Sequence, residues 1–461
     1  MSRTVRPRKQ VILAAHFPGV NNTTVWTDPA AGSQIDFASF AHMARTAERG
    51  RFDFFFLAEG LRLREQHGRI HDLDVVGRPD TLTLLAALTG VTTHLGLAGT
   101  LNATFHEPYE LARQLATLDH LSGGRAAWNV VTSSDAFTGE NFRRGGYLAH
   151  ADRYDRARDV ITTAVALWES WDPAEPAADR ASGRYTRSAD AGTFSYVGRH
   201  VDIQGRFGVP RSPQRHPVII QAGDSDPGRE LAAATADAIF SRHSRPAAAR
   251  MFYADVKGRL ARHGRSADEL KIIPAATYVV GDTAEDADER ARHIRRQQVS
   301  PQTAILQLEQ VWNRDLSAYD ADGPLPNVDP DVESPPISQG RARMYPDPMA
   351  TAADWRRRAE ARNLSIRDLV IEVTGRQTFV GTPTRVADAV DDFVQSDAAD
   401  GLILVPHLTP TGLDDFVDRV VPLLQERGSL RTDYEPGTLR DHLGLPPAAA
   451  ASRTPAGSAT R

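Results

Sequence analysis

The chain has 461 residues, and its 54 basic and 59 acidic side chains nearly cancel without a long single-sign block, so a nucleic-acid or anionic-membrane surface is excluded as its main partner. It contains no cysteine, which excludes disulfides, thiolate zinc sites, iron-sulfur clusters and a cysteinyl cofactor link. The N-terminal MSRTVRPRK is basic, but Val11 to Ala15 is too short for a signal-peptide core and no apolar run approaches the roughly 18 residues of a membrane span, so the expected location is cytoplasmic.

Strand-like and helix-like segments alternate along most of the chain. Val11 to Phe17 reads as a strand, Phe37 to Arg49 as an amphipathic helix, Phe52 to Ala58 as a strand and Thr81 to Thr89 as a helix. Leu95 to Thr100 is followed by a helix over Pro108 to Leu121, and Arg125 to Val131 by a helix from Asp152 to Trp171. Val218 to Ala222, Ala238 to Ser241, Ile272 to Val280 and Leu402 to Pro406 are four further strands, each leading into helical pattern. Parallel strands need helical crossovers and eight of them close a sheet, so the fold class is α/β, a (β/α)8 TIM barrel with long insertions; the pattern alone leaves an open doubly wound sheet as the alternative. Residues 1–445 are expected to form one elaborated domain, with insertions near 172–216, where FSYVGRHVDIQG reads as a hairpin, and near 300–377, where the Pro-rich GPLPNVDPDVESPPISQG suggests a lid or an interface. The tail 446–461, PPAAAASRTPAGSATR, has no apolar side chain larger than alanine and is expected to be disordered.

Barrel active sites form where strands end, so the polar residues at those ends are the candidates. Successive strands present His16 and Phe17; Glu59; Thr100 and Asn102; Trp128, Asn129 and Thr132; Gln221, Gly223, Asp224 and Ser225; His243; and His407. His150 and Tyr154 are four residues apart where a helix begins, a position whose free N–H groups favour phosphate. QAGDSDPGREL is a strand, a Gly-containing turn and a helix start, so Ser225 is placed either to cradle phosphate or to cap the helix. The spacing of His67 and His71 is metal-like, but Gly68 interrupts any helix there and no HExxH follows, so a solvated loop is expected and no metal is assigned. No G-x-G-x-x-G or P-loop occurs.

The segments GRAAWNVVTS, HADRY and NATFHEPYELARQLATLDHLS, with AERGRFDFFFLAEG, GRPDTLTLLAAL, PVIIQAGDSDPGRELAAATADAIF and VGTPTRVADAVDDFVQSDAADGLIL, resemble the bacterial luciferase-like flavin monooxygenases over roughly four-fifths of the chain, in particular the branch of nitrilotriacetate, EDTA and dibenzothiophene-sulfone monooxygenases. The resemblance implies noncovalent FMN, used as reduced FMNH2 with O2 to oxygenate a small organic substrate, in a two-component system with a separate NAD(P)H:flavin reductase. It further implies a homo-oligomer, dimer or tetramer. Carried over by position, Glu59, Thr100, His150, Tyr154, Asp224 and Ser225 are the cofactor-binding residues; Asn129 joins them because an amide both donates to and accepts from a pyrimidine edge. His16, Trp128 and His407 are the catalytic candidates, with His106 and His243 behind them for substrate orientation or proton transfer, and Phe17, Phe105, Trp128, Phe137, Phe142 and Tyr147 as an apolar wall that keeps water out. Three alternatives remain: an enzyme using deazaflavin F420, a serine hydrolase built on Ser225, and a flavin-binding protein without turnover.

Overall fold

The computed structural model describes residues 8–21, 23–70, 78–133, 136–142, 152–339, 345–375 and 377–448. Eight parallel strands close into a barrel: β1 (Ile12–Phe17), β2 (Phe54–Leu57), β3 (Gly96–Asn102), β4 (Ala126–Val131), β5 (Val218–Gln221), β6 (Ala238–Ser241), β7 (Lys271–Ala276) and β8 (Gly401–Leu404), each paired with its chain neighbours and β8 with β1. The helices α1 (Phe37–Arg49), α2 (Thr81–Leu88), α3 (Pro108–Ser122), α4 (Asp152–Trp168), α5 (Asp226–Thr235), α6 (Pro246–Leu260), α7 (Pro383–Gln395) and α8 (Asp414–Arg419) lie in the crossovers and after β8. Sequences such as FFFL in β2 are apolar throughout because a strand inside a shell of helices is buried on both faces.

Side-chain parity divides the barrel into two packed layers. Ile12, Ala14, Phe54, Phe56, Ala98, Ala127, Val218, Ile220, Ala238, Ile273 and Ile403 point inward and pack together. Leu439, Leu443 and Leu445 from the C-terminal segment join this inner cluster. Leu439 N–H donates to Gly124 O, at the turn that enters β4, so these leucines close the N-terminal end of the barrel and leave the C-terminal end as the mouth. The opposite parity packs against the helices, and Trp128 belongs to it.

That position corrects the reading of Trp128 as a wall or catalytic residue of the mouth. Its side chain is fully buried among Leu111, Leu115 and Trp168, its Nε1–H donates to Leu101 O at 3.0 Å, and its ring meets Trp168 edge-on at 6.3 Å. Phe17 is likewise turned outward, stacked on Phe40 of α1 at 4.1 Å. Trp128→Ala should therefore act on stability, lowering it by about 3–5 kcal/mol through the cavity it leaves, a loss read from the urea midpoint; an unchanged midpoint would contradict the assignment.

The strand expected over Ile272 to Val280 is two strands. β7 stops at Ala276, and after Thr277 the chain pairs Tyr278–Val280 with Phe379–Gly381 outside the barrel. Thr193–Val197 and Asp202–Arg206 form the antiparallel hairpin expected of FSYVGRHVDIQG. Between the two outer strands, helices Pro301–Trp312, Pro348–Arg362 and Ile366–Thr374 enclose an apolar cluster of their own around Trp312, Trp355 and Leu308. The short strand Ser338–Gln339 of this stretch pairs with Glu65–Gln66, in the segment that follows Glu59. The disorder expected from 446 does not hold at the start of the tail: Ala448 is buried and its carbonyl accepts from Arg215 Nη1 at 3.0 Å, and the rest of the tail lies outside the described residues.

Candidate active site

Three groups of residues meet around the C-terminal ends of the strands. The first joins β5 to α4. Ser225 caps α5, its Oγ accepting Gly228 N–H at 3.3 Å, and the same Oγ shares a hydrogen bond with Tyr154 Oη at 2.9 Å. The capping role expected of Ser225 is thus present, and its hydroxyl is also tied to the HADRY helix. Arg153 adds positive charge, with Nη2 3.5 Å from Tyr154 Oη and its guanidinium 4.9 Å from that ring. The turn requires Gly223: a Cβ there would lie 2.9 Å from Gly228 Cα, so only glycine lets strand end and helix start approach. A helix N-terminus flanked by two hydroxyls and a guanidinium suits a phosphate.

The second group is in the lumen. Thr100 and Asn129 are register partners on β3 and β4, and Asn129 Nδ2 donates to Thr100 Oγ1 at 2.8 Å. Asn129 is 2 % exposed, yet its Oδ1 has no partner among the described residues. A buried carbonyl oxygen left unpaired costs about 1–3 kcal/mol, which a ligand N–H entering the mouth would recover. Gln221 Oε1 and Ser241 Oγ are also unpaired, but they belong to the outward parity. On the same inner face Phe240 meets Phe56 edge-on at 4.8 Å.

The third group consists of histidines. His16 Nδ1 lies 3.2 Å from Phe56 O; because a carbonyl only accepts, Nδ1 carries the proton and Nε2 is left as an acceptor. Burial, then the nearby Arg78 charge, pushes His16 down to about 4 against the weaker effect of that hydrogen bond. At neutral pH His16 is an acceptor and has no proton to give as an acid. Arg78, which no sequence motif singles out, clasps two rim loops through Pro18 O at 3.1 Å and Glu59 O at 3.3 Å. The sign of the His16 shift makes a stability prediction. The unfolded chain takes up the proton near 6.5 and the folded one near 4, so the contribution of His16 is complete above pH 6.5 and is lost as pH falls toward 4. At pH 5 the loss is about 2 kcal/mol, so His16→Gln should shrink the fall in urea midpoint between pH 7 and pH 5; an identical fall in both proteins would show that His16 is not the group responsible.

Two carboxylate–imidazole pairs complete the rim. Glu59 Oε1 is 3.0 Å from His106 Nε2, and Glu59 Oε2 accepts Asn102 N–H at 3.0 Å. Asp224 Oδ1 accepts from His243 Nε2 at 2.9 Å and from Arg229 Nη2 at 3.2 Å. Burial alone would raise the Asp224 carboxyl, but His243 and Arg229 together outweigh it and hold it below the ordinary carboxylate value. Both oxygens of Glu59 and Oδ1 of Asp224 are therefore committed within the protein, and the backbone carbonyl of Asp224 also accepts from Arg229 Nε at 3.0 Å.

Not every candidate joins this assembly. His407 lines a separate cleft with Asp28, Tyr278, Arg290, His293 and Asp415; burial lowers it below its ordinary value and its Nδ1 has no partner among the described residues. His150, Tyr147, His71, Asp72 and Asp74 lie outside the described residues. Phe105 stacks on Phe142 at 5.0 Å beside the rim, and Phe137 lies beneath the Arg62 guanidinium at 3.4 Å. Among the described residues Ser225 Oγ is hydrogen-bonded to Tyr154 and Gly228 and to no imidazole, so the serine–histidine contact that a serine hydrolase needs does not form on it. Among the described residues, His67, Glu309 and Asp315 come close enough for a metal, but Glu309 already accepts from the Gln66 amide and from Leu316 N–H.

Residues 19–400 match the family model of luciferase-like monooxygenases. The chain belongs to this family. Among its relatives, nitrilotriacetate monooxygenase component A of Aminobacter aminovorans is 40% identical over 91% of this chain and 93% of that protein. Dibenzothiophene-sulfone monooxygenase of Rhodococcus erythropolis is 35% identical over 95% of this chain and 97% of its own length. The crystal structure of riboflavin lyase with modified FMN and riboflavin superposes with a TM-score of 0.76 at 28% identity, over 95% of this chain and 96% of that one. This luciferase-like chain is accordingly an enzyme of the monooxygenase class on a (β/α)8 barrel. Among its described residues no helix is long and apolar enough to cross a membrane.

Proposed function

We propose that this enzyme binds FMN noncovalently in the barrel mouth, accepts it as FMNH2 from a separate NAD(P)H:flavin reductase, and oxygenates a small organic substrate with O2. The observation that carries the reading is the buried Asn129 Oδ1 beside Thr100, without a partner among the described residues, on the inner face of the barrel whose rim carries the Tyr154–Ser225 clasp. The first offers an acceptor to a ring N–H and the second a cradle for a phosphate, the two ends of an FMN. A relative named as component A supports a divided system, and a structural neighbour holding modified FMN supports the cofactor. Reduced flavin, when bound, supplies the electrons and activates O2. The protein's own residues do the rest: Phe56, Phe240 and the Phe105–Phe142 stack line the mouth with apolar surface that excludes water, and neutral His16 offers Nε2 to a donor on the substrate.

An anaerobic titration with FMNH2 tests the binding step. Tyr154→Phe and Ser225→Ala should each weaken binding by about 1 kcal/mol or more, the worth of one hydrogen bond to a charged phosphate. Unchanged affinity in both variants would remove the clasp from the cofactor site. Deazaflavin F420 in the same titration decides between the two cofactors, since tighter binding of F420 than of FMNH2 would overturn the FMN assignment.

A further inference from the structure

Glu59 stands where the resemblance puts a flavin ligand, yet both of its oxygens are used elsewhere. Its carboxylate is 11 % exposed, with Oε2 on Asn102 N–H and Oε1 on His106 Nε2, each at 3.0 Å. We propose that Glu59 is a positioning residue and that His106 is the group it aims, presenting imidazole Nδ1 to the mouth as the proton acceptor of the oxygenation. This inference rests on the function proposed above.

The hydrogen-bond polarity follows from the donor set. An ionised carboxylate only accepts, so Nε2 carries the proton and the lone pair sits on Nδ1. Nδ1 has no hydrogen bond among the described residues, and the side chain is 30 % exposed at the rim. The loop is held from beneath by Arg156, which donates to Ala103 O at 3.1 Å and to His106 O at 3.3 Å, and the ring meets Phe142 edge-on at 6.0 Å. Each element that fixes the ring leaves Nδ1 free. In the overall reaction reduced flavin supplies two electrons, one oxygen atom of O2 enters the substrate and the other leaves as water. Nδ1 takes one proton from the reacting substrate and oxygen and returns it to the departing water, so the dyad does not enter the balance. The Glu59 carboxylate beside Nε2 offsets the imidazolium formed in between.

Glu59→Gln separates this role from flavin binding. The amide oxygen can still accept Asn102 N–H, but the amide nitrogen donates to Nε2 and forces the His106 proton onto Nδ1. In histidine-15N-labelled protein, with His106→Gln used to assign the signal, wild type should show a protonated Nε2 and Glu59→Gln a protonated Nδ1. With FMNH2 supplied continuously, Glu59→Gln should form product on the order of 100-fold more slowly, while its Kd for FMNH2 stays within about twofold of wild type, as a group that makes no contact with the cofactor requires. Glu59→Asp, which only accepts, should restore the wild-type tautomer and most of the rate. A wild-type His106 protonated on Nδ1, or an unchanged rate in Glu59→Gln, would overturn the proposal. So would a large loss of FMNH2 affinity in Glu59→Gln, because Glu59 would then touch the cofactor. Failure of wild type to bind FMNH2 would instead overturn the cofactor reading, and the tautomer measurement would still stand.

Discussion

Mixed with FMN, NADH or NADPH, O2 and a substrate that it oxygenates, the purified chain should oxidise almost no nicotinamide in step with product, and adding a flavin reductase should start product formation. A self-sufficient enzyme must hold a nicotinamide dinucleotide as well as its flavin. No strand of this barrel leads into a G-x-G-x-x-G turn, and the Gly-containing turn after β5 belongs to the clasp proposed for the flavin phosphate. The cleft beside His407 is lined by Asp28 and Asp415 as well as Arg290, an uneven welcome for a pyrophosphate. Product coupled to nicotinamide oxidation before the reductase is added would overturn the two-component reading.

Asn129→Leu should weaken FMNH2 binding by about 2 kcal/mol, or about 30-fold in Kd. Leucine is an apolar side chain of similar shape, so the barrel keeps its packing while the ligand loses its acceptor. The substitution also removes the donor to Thr100 Oγ1, leaving that buried hydroxyl to find another partner. Asn129→Asp, which keeps an acceptor at the same place, should lose less. If Asn129→Leu changes stability but not affinity, the amide is an ordinary strand-end residue and Oδ1 does not face the flavin.

The barrel was legible because its rhythm is written in the chain: seven of the eight strands fall within a residue or two of the segments read from sequence, and α1 ends where its amphipathic pattern ends. The facing of side chains was not legible. AAWNVV is apolar on both faces, as a strand inside a helical shell must be, and nothing local says that Asn129 points in while Trp128 points out. That distinction comes from the closed sheet and from the pocket that Leu111, Leu115 and Trp168 make for the indole. The same limit hid the Glu59–His106 pair, since two residues 47 apart meet only because β2 and β3 are neighbours. The break after Ala276 is invisible in sequence because Ile272 to Val280 reads as one β-rich run, and only the partner strand Phe379–Gly381 draws its second half out of the barrel. Ser225 was found by its turn chemistry, which is local. Its tie to Tyr154 bridges two elements, yet each partner is a candidate on its own local signal, Tyr154 by the spacing of HADRY at a helix start and Ser225 by its turn.

The central claim is that the mouth is built for a flavin carrying a phosphate, and the dissociation constants of FMNH2 and reduced riboflavin for the unaltered enzyme, measured anaerobically beside those for Ser225→Ala, test it most directly. Wild type should bind FMNH2 more tightly than reduced riboflavin, and Ser225→Ala should narrow the gap by weakening FMNH2 alone. Equal affinity for the two flavins in wild type would contradict the claim.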